Sequence, residues 1–420
     1  MKGLRNTLAP IAVASMALAV VAAASLGYRE VGSEGGPPLW REQPRRLTTT
    51  ANLPEALNDE QLAGVLVKLR PRFRRGEIKI NYVDHALRCW GLPAEFDDRQ
   101  SLSGDAMRQL LIDHRAFVDV YGAATPPLMR HSGPGLLVRV QKGPSTSSHV
   151  DHTLATLAEI GTPASFPVAT ADGPATVRDL LDGAFANFAF AQPEYEWTAL
   201  AHFLFAEDPS RSFVAADGQV VTLDDLAERL MRQTLDQGCC YGNHRLYALA
   251  VLERLDREAE ANRHGWLKAP SRLRLRDHLS QATATLIVTQ TPAGCWEVNG
   301  LAPQRVPDEE MSPRARRILM TGHALEFWAM ASPEYHPPRE TVIRASQWLV
   351  RQIDAMSDKD VREEYTYLSH ACRALCLWRG EEPHESWRRL DPLASESNPE
   401  PRRELEARAQ QAISRVFPAS

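Results

Sequence analysis

The sequence lacks the features that identify several common classes of protein. It has 48 lysines and arginines against 53 aspartates and glutamates, so the positive excess that draws proteins to nucleic acid is missing. It also contains neither a glycine-rich phosphate loop nor a Gly-x-Ser-x-Gly nucleophile elbow. We therefore expect no nucleic-acid partner, and no motif points to phosphate-loop or serine-hydrolase chemistry.

Cysteine is scarce as well, because six residues in 420 are too few for a fold held together by disulfides. Cys239 and Cys240 are adjacent, and Cys372 and Cys376 are one helical turn apart, so pairing within either couple is unfavourable. Long-range bridges and buried free thiols are the two alternatives. The remaining composition, 44% hydrophobic and 24% charged, is that of a globular protein with one or two cores.

The N-terminus has the pattern of a membrane-directed segment. Lys2 and Arg5 precede an uncharged run from Thr7 to Gly27 that is long enough to cross a bilayer. Residues 1–28 are therefore predicted to be a membrane anchor, a transmembrane helix that leaves the main domain extracytoplasmic. The small residues from Ala22 to Ser25 also suit a cleaved signal peptide, and the alternative is a secreted or periplasmic protein.

Three further regions follow along the chain. Residues 29–52 are rich in Gly, Pro and charge without periodicity and are predicted to be a flexible linker. Residues 53–390 are predicted to form the main domain. Residues 391–420 are predicted to be a charged tail with a C-terminal helix.

The main domain alternates amphipathic segments with segments that are apolar on nearly every side. An outer helix exposes one face to solvent, whereas an inner helix is buried on every side, so this alternation is typical of paired outer and inner helices. The predicted inner segments span 81–90, 150–160, 196–205, 243–255, 317–331 and 364–378. Because no hairpin can bury its own inner helix, the pattern predicts an all-α fold, an α/α toroid of about six outer–inner helix hairpins.

Short turns interrupt the helices. Asp172-Gly173 and Asp217-Gly218 each lie between β-prone runs, which predicts two short β-hairpins. A threonine with an aspartate three residues on follows each turn, at Thr176 and Thr222, and this pattern is typical of a helix start. The Pro-containing stretch from Ala123 to Ser148 is predicted to be an insertion that covers one mouth of the ring.

One turn carries a family resemblance. Leu286-x-x-x-Gln290-x-x-x-Gly294-x-Trp296 resembles the Gln-Trp repeat motif of the terpenoid cyclase and protein prenyltransferase superfamily, whose squalene-cyclase-like repeats form an α/α toroid. In that motif the glutamine ends a helix, the glycine makes the turn and the indole packs on the neighbouring repeat. The sequence contains neither the Asp-x-Asp-Asp acid of squalene-type cyclases nor the Asp-x-Cys zinc arrangement of prenyltransferases. The resemblance therefore implies the fold and neither activity.

A second segment, Gly322-His323-x-x-Glu326-Phe327-Trp328, is similar to a Gly-His-x-x-Glu-Trp segment of sugar epimerases and related α/α-barrel enzymes that act on glycans. In those enzymes a histidine on an inner helix transfers a proton at a sugar carbon. The similarity implies acid/base roles for His323 and Glu326.

Five of the predicted inner helices carry a histidine near the N-terminal end. If these helices run in one direction, the histidines line one mouth, beside helix ends whose partial positive charge suits anionic or polar ligands. The predicted catalytic acid/base residues are His323, Glu326, His244 and His370. The predicted ligand-binding residues are His85, Asp84, His152, Asp151, Tyr241, Tyr365 and Trp328. The alternative is that these side chains cap helices or bridge neighbouring repeats.

The segment from Gly238 to His244 contains a candidate metal site. Cys240 and His244 become neighbours if the helix begins early, and Cys239, Cys295 or His323 could complete a tetrahedral Zn²⁺ shell. The alternative for these cysteines is a disulfide.

Taken together, these patterns predict a membrane-anchored or secreted α/α-toroid protein. The predicted function is that of an enzyme that acts on a glycan or a lipid-like small molecule in a His-rich central funnel. The alternative is a non-catalytic ligand-binding or scaffold protein with the same fold.

Overall fold

The fold is mainly helical. The computed structural model describes residues 37–390 except 74–75, 98–99, 193, 233–238, 263 and 299–310. Helix accounts for 57% of it and strand for 8%, with 15 α-helices in the described part. In chain order these are α1 (Asp59–Leu69), α2 (Ile80–Trp90), α3 (Gly104–Ile112), α4 (His114–Tyr121), α5 (His152–Glu159), α6 (Val177–Ala186), α7 (Glu196–Phe205), α8 (Leu223–Arg232), α9 (Asn243–Ala261), α10 (Ala269–Thr289), α11 (Pro313–Met330), α12 (Arg339–Asp354), α13 (Asp358–Glu363), α14 (Tyr365–Trp378) and α15 (Pro383–Leu390).

Six of these helices are buried on nearly every face, and they match the six predicted inner segments to within a few residues at most ends. They are α2, α5, α7, α9, α11 and α14. Along this series each helix packs against the next, and α14 packs against α2. Amphipathic helices such as α8 and α12 bury one face against them, as their single apolar stripes predict.

The strands form three separate antiparallel hairpins. These are β1 (Met129–Ser132) with β2 (Gly135–Val138), β3 (Pro167–Thr170) with β4 (Gly173–Thr176), and β5 (Phe213–Val214) with β6 (Val220–Val221). The second and third are the two predicted hairpins. The first lies in the predicted insertion and packs on α6, where a Cβ on Gly135 would lie 2.3 Å from the Gly183 nitrogen. Glycine at both positions permits this close backbone approach.

One predicted outer helix is divided in two. The apolar pattern between Met107 and Tyr121 predicts a single helix, whereas the structure has α3 and α4 with a break at Asp113. The Asp113 carboxylate accepts a hydrogen bond from the Arg115 backbone N–H at 2.8 Å and caps the new helix. Local side-chain capping therefore competes successfully with continuation of the helix.

The Gln290 turn joins α10 to its neighbours in the way the sequence motif implies. The Gln290 side chain donates to the Gly294 and Thr341 carbonyls, both at 2.9 Å, and the Trp296 indole donates to the Leu286 carbonyl at 2.7 Å. Gly294 has a φ of +100°, and a Cβ there would lie 2.6 Å from the Arg344 carbonyl. Only glycine fits this turn without strain.

The segment from residue 40 to residue 53, here called the strap, crosses the C-terminal ends of the inner helices. Its backbone N–H groups donate to the last carbonyls of three of them, which lack intrahelical partners. The bonds run from Arg41 to Phe205 at 2.8 Å, from Thr50 to Ala329 at 3.1 Å and from Leu53 to Trp378 at 2.6 Å. Residues 40–52 therefore belong to the folded domain, in contrast to the flexible linker predicted for 29–52.

The predicted transmembrane helix requires correction. In the described ranges no helix is both long enough and apolar enough to cross a membrane. The three longest, α9, α10 and α11, all contain several charged residues. The N-terminal run from Thr7 to Gly27, within the predicted anchor or signal segment 1–28, and the predicted tail 391–420 lie outside the described residues.

Candidate metal centre

Six histidines converge in the space that the inner helices surround. The inner helices α2, α5, α9, α11 and α14 supply one each, in that order His85, His152, His244, His323 and His370. The sixth, His149, lies just before α5. The closest ring centroids are 3.8 Å apart, between His323 and His370, and those of His149 and His244 are 5.6 Å apart. The five helical histidines are at most 3% exposed. The histidines therefore face one another and not the spaces between the inner and outer helices.

Four of the histidines are oriented through the same ring nitrogen. In each, Nδ1 lies within hydrogen-bond distance of an oxygen that only accepts, so Nδ1 carries the proton and Nε2 keeps a lone pair. The pairs are His323 with the Leu319 carbonyl (2.8 Å), His85 with the Asn81 carbonyl (2.7 Å), His370 with Glu326 Oε2 (2.6 Å) and His149 with Glu194 Oε2 (3.1 Å). Metal-binding imidazoles are commonly held in this way, with the other nitrogen free to ligate.

Cys240, His244 and His323 form a group with the spacing of metal ligands. Their potential ligand atoms all lie within 4.8 Å of one another, and the two histidine Nε2 atoms are 3.0 Å apart. Among the described residues this is the one set of three such side chains that meets that spacing. Two nitrogens bound tetrahedrally to Zn²⁺ at about 2.0–2.1 Å would be about 3.3 Å apart, so a small adjustment admits an ion.

The turn before α9 brings Cys240 to His244. Cys240 and Tyr241 both have left-handed backbones, with φ of 48° and 56°, and Gly242 continues the turn with φ of 75°. Asn243 donates from its side chain to the Cys240 carbonyl at 2.7 Å and secures the turn. Two consecutive non-glycine residues in this region cost roughly 1–3 kcal/mol each, and such strain is concentrated at functional sites.

Burial keeps the central histidines neutral. Removal from water, reinforced by neighbouring histidines, lowers the pKa of His244 and of His85 well below the ordinary value. Burial likewise lowers the pKa of His323 to about 4 and that of His370 to about 3. The neutral imidazole is the form that binds a metal ion.

A second polar layer lies one helical turn further along the same helices. Arg88, Tyr247, Glu326 and Arg373 each follow a histidine of the cluster by three residues, and Glu159 joins them from α5. Arg88 donates to Glu159 Oε2 at 2.6 Å and to Glu326 Oε1 at 2.7 Å. Arg373 donates to Glu326 Oε1 at 2.6 Å and to the Tyr247 hydroxyl at 3.1 Å, and Tyr247 donates to Glu159.

This charged layer is balanced, with two arginines against two glutamates. Burial would raise the pKa of Glu326, but Arg88 and His370 outweigh it and hold that pKa well below the ordinary value. Burial would likewise lower the pKa of Arg88, but Glu159 and Glu326 outweigh it and raise that pKa. Glu326 connects the layers because Oε1 accepts from the arginines and Oε2 from His370.

Several predicted ligand-binding residues adjoin the cluster and serve helix contacts. Asp84 Oδ2 accepts from Thr153 at 2.7 Å and lies 3.0 Å from His152 Nδ1, although the geometry of that second contact is not that of a hydrogen bond. Asp151 accepts from Thr198 at 2.6 Å, and burial raises its pKa to about 6. Tyr241 is buried in the strained turn itself.

Two predicted ligand-binding aromatics are not brought to the cluster. The Tyr365 hydroxyl donates to the Leu69 carbonyl at 3.1 Å, and the Trp328 indole donates to Thr283 Oγ1 at 3.0 Å. Both partners belong to outer helices, so these rings fill the space between the layers. Cys295 also lies away from the metal group, with its Sγ 3.3 Å from Thr291 Oγ1. Cys89, Cys295, Cys372 and Cys376 are buried free thiols.

The sequence reasoning missed His149, Glu159 and the two arginines. The signal was a histidine followed three residues later by a polar residue, repeated on four helices that are otherwise apolar. Comparison with known proteins adds no name to this geometry, because no family model, no curated protein and no solved structure matches the chain. The chemistry of the site rests on the arrangement of its own residues.

Proposed function

We propose that this chain is a metal-dependent enzyme built on a closed α/α toroid. The toroid is supported by the helix contacts, in which each inner helix packs on the next and α14 returns to α2. The Gln290 turn, with its glycine and buried Trp296, supports a distant relation to the terpenoid cyclase and prenyltransferase superfamily at the level of the fold.

The observation that carries the metal is the group of Cys240, His244 and His323, with ligand atoms within 4.8 Å. A thiolate with two neutral imidazoles is a borderline-soft donor set that suits Zn²⁺ among the common biological ions. Three protein ligands leave a fourth tetrahedral position, as in catalytic zinc sites. An ion held there supplies a Lewis acid.

His370 is the proton acceptor in this proposal. Its Nδ1–H donates to Glu326, which leaves Nε2 with a lone pair and, within the described residues, without a hydrogen-bond partner. The centroid of its imidazole lies 3.8 Å from that of His323, which would hold the ion together with Cys240 and His244. Glu326 would stabilise the imidazolium that forms when Nε2 takes a proton from water or from a substrate hydroxyl.

The substrate class proposed is a polar, hydroxyl-rich molecule such as a glycan. The centre of the inner helices carries histidine, arginine, glutamate and tyrosine side chains, which would be poorly solvated by an apolar lipid-like chain. Hydroxyl groups can exchange hydrogen bonds with all of these side chains.

A second candidate is a non-catalytic protein with a closed metal site. The low pKa of His370 favours this candidate, because an imidazole with a pKa of about 3 is a better metal ligand than proton acceptor. If His370 Nε2 fills the fourth position, the site has one cysteine and three histidines and no room for water.

Metal analysis of purified protein and of its His370→Ala variant tests both candidates. The enzyme proposal predicts one Zn²⁺ per chain in both proteins and metal-dependent cleavage within a panel of chromogenic glycosides, which the variant loses by a factor of about 10²–10⁴. A closed site predicts instead that the variant binds Zn²⁺ at least tenfold more weakly. Absence of stoichiometric metal from the wild-type protein, after exposure to Zn²⁺ under reducing conditions, overturns the metal proposal.

A further inference from the structure

A cleft opens at the end of the inner helices opposite the histidines. The enclosed part has a volume of about 50 Å³, enough for a small ion or a few water molecules, and the cleft is partly open to solvent. The strap borders it on one side and α15 on another. Every residue that lines this cleft is in the described part of the chain.

The charge of the cleft is predominantly positive. Four arginines and two glutamates line it: Arg45 and Arg46 from the strap, Arg88 and Arg373 from inner helices, Glu159 and Glu382. Arg88 and Arg373 form ion pairs with the buried Glu159 and Glu326 described above. Arg45 and Arg46 donate to carbonyl oxygens, of Ala206 and Ile160 respectively, and form no ion pair with a carboxylate among the described residues. Arg45 and Arg46 together with Glu382 therefore leave one net positive charge at the opening.

Two buried nitrogen atoms at this cleft have no partner. Arg373 is 6% exposed and uses both terminal nitrogens, but its Nε–H has no acceptor in the part of the chain that the structure describes. The Nδ1 atom of His384, on α15, is also buried without a hydrogen-bond partner there. Leaving a buried donor unpaired costs roughly 1–3 kcal/mol, more beside a charge, so Arg373 Nε needs an oxygen that accepts its hydrogen bond. The His384 Nδ1 atom accepts or donates according to its tautomer.

We infer that this cleft binds a small molecule through a carboxylate or phosphate group. The oxygens of such a group would accept from Arg373 Nε and from the guanidinium groups of the strap, which match the planar spacing of an oxyanion. A hydrogen on the anion, or a proton gained by His384, completes the contact at Nδ1. This site is separate from Cys240, His244 and His323, and the inference does not depend on the proposed metal.

Calorimetric titration with inorganic phosphate and with succinate, at fixed ionic strength in chloride, tests the inference. We expect at least one of the two to bind, and the double variant Arg46→Gln with His384→Gln to bind it at least tenfold more weakly. Arg373→Lys, which keeps the charge and removes Nε, is expected to weaken binding in the same direction. Tighter binding of phosphate would assign a phosphorylated ligand, and tighter binding of succinate a carboxylate ligand.

Two controls make the result decisive. Arg232→Gln removes a positive charge from a side chain that is 76% exposed on α8 and is expected to leave the affinity unchanged. His244→Gln removes a proposed metal ligand and is also expected to bind the anion normally, which separates this site from the metal centre. The inference is overturned if neither anion binds to wild-type protein, or if Arg232→Gln weakens binding as much as the double variant.

Discussion

The histidine layer and the charged layer are built on the same helices one turn apart, yet they solve the problem of buried polarity in opposite ways. In the charged layer Arg88, Arg373, Glu159 and Glu326 pair across four helices. In the histidine layer His370 Nε2, His244 Nδ1 and His152 Nε2 have no hydrogen-bond partner among the described residues. The same helices thus support one layer whose polar groups are nearly all paired and one layer in which several nitrogen atoms are unpaired.

The difference indicates which layer awaits an external group. Buried nitrogen lone pairs without donors are costly, and a cation held by Cys240, His244 and His323 would bind two imidazole lone pairs of this layer. Paired arginines and glutamates gain little from a metal ion, because their charges already cancel. We therefore expect the charged layer to govern the stability of the metal-free protein. The histidine layer should govern the change in stability when a metal is added.

Removing Glu326 should have the largest effect. Glu326→Leu leaves Arg88 and Arg373 short of one buried counter-charge, which should lower the free energy of unfolding by about 3–5 kcal/mol. Urea denaturation measures this change. Combining it with Arg373→Leu restores the balance of Arg88 and Glu159, so the double variant should be more stable than the sum of the single effects by about 1–3 kcal/mol. Simple additivity would mean that the layer is not a coupled unit.

Metal addition should act on the other layer. Zn²⁺ at one hundred times its dissociation constant should raise the free energy of unfolding of the wild-type protein by about 2.7 kcal/mol. His244→Gln should abolish this increase, because it removes a ligand. His152→Gln, a change to a buried histidine outside the metal group, should retain it. An equal loss in both variants would contradict the assignment of ligands.

A smaller effect separates burial from metal binding. His202 is buried away from the cluster, against Phe185 and Trp40, and burial lowers its pKa to about 4. The unfolded chain therefore binds a proton between about pH 4 and 6.5 that the folded chain does not, and stability falls as the pH falls through this window. His202→Leu should reduce that slope by about 1.4 kcal/mol per pH unit.

Denaturation at several pH values between 4 and 7 gives the slope for the wild-type protein and the variant. Phe203→Leu changes a buried, non-titrating neighbour of His202 on α7 and provides a matched control that should leave the slope unchanged. An unaltered slope in His202→Leu would show that His202 titrates normally in the folded protein.

The inner helices could be predicted from the sequence because a helix buried on every face is apolar on nearly every side. The segment predicted at 196–205 is α7, Glu196–Phe205, and five histidines near predicted helix starts do meet. The partner of each charged side chain could not be read in the same way. That Arg88 meets Glu159 and Glu326 depends on how three helices pack, and no local pattern encodes that choice.

Other misses also have local causes. Tyr365 begins α14, whereas Trp328 lies near the C-terminal end of α11. A rotation of about one residue around a helix decides whether a side chain faces the centre or an outer helix. The strap was predicted to be flexible because it has no periodicity. Its order comes from helix carbonyls far away in the sequence, which supply its hydrogen bonds.

X-ray absorption at the zinc edge tests the central claim most directly, since it reports the atoms around the ion itself. For protein loaded with one equivalent of Zn²⁺ we predict one sulfur at about 2.3 Å, with nitrogen ligands at about 2.0–2.1 Å, and loss of the sulfur in Cys240→Ser. A shell of oxygen and nitrogen without sulfur, or a sulfur signal that persists in Cys240→Ser, would contradict a metal centre at Cys240, His244 and His323.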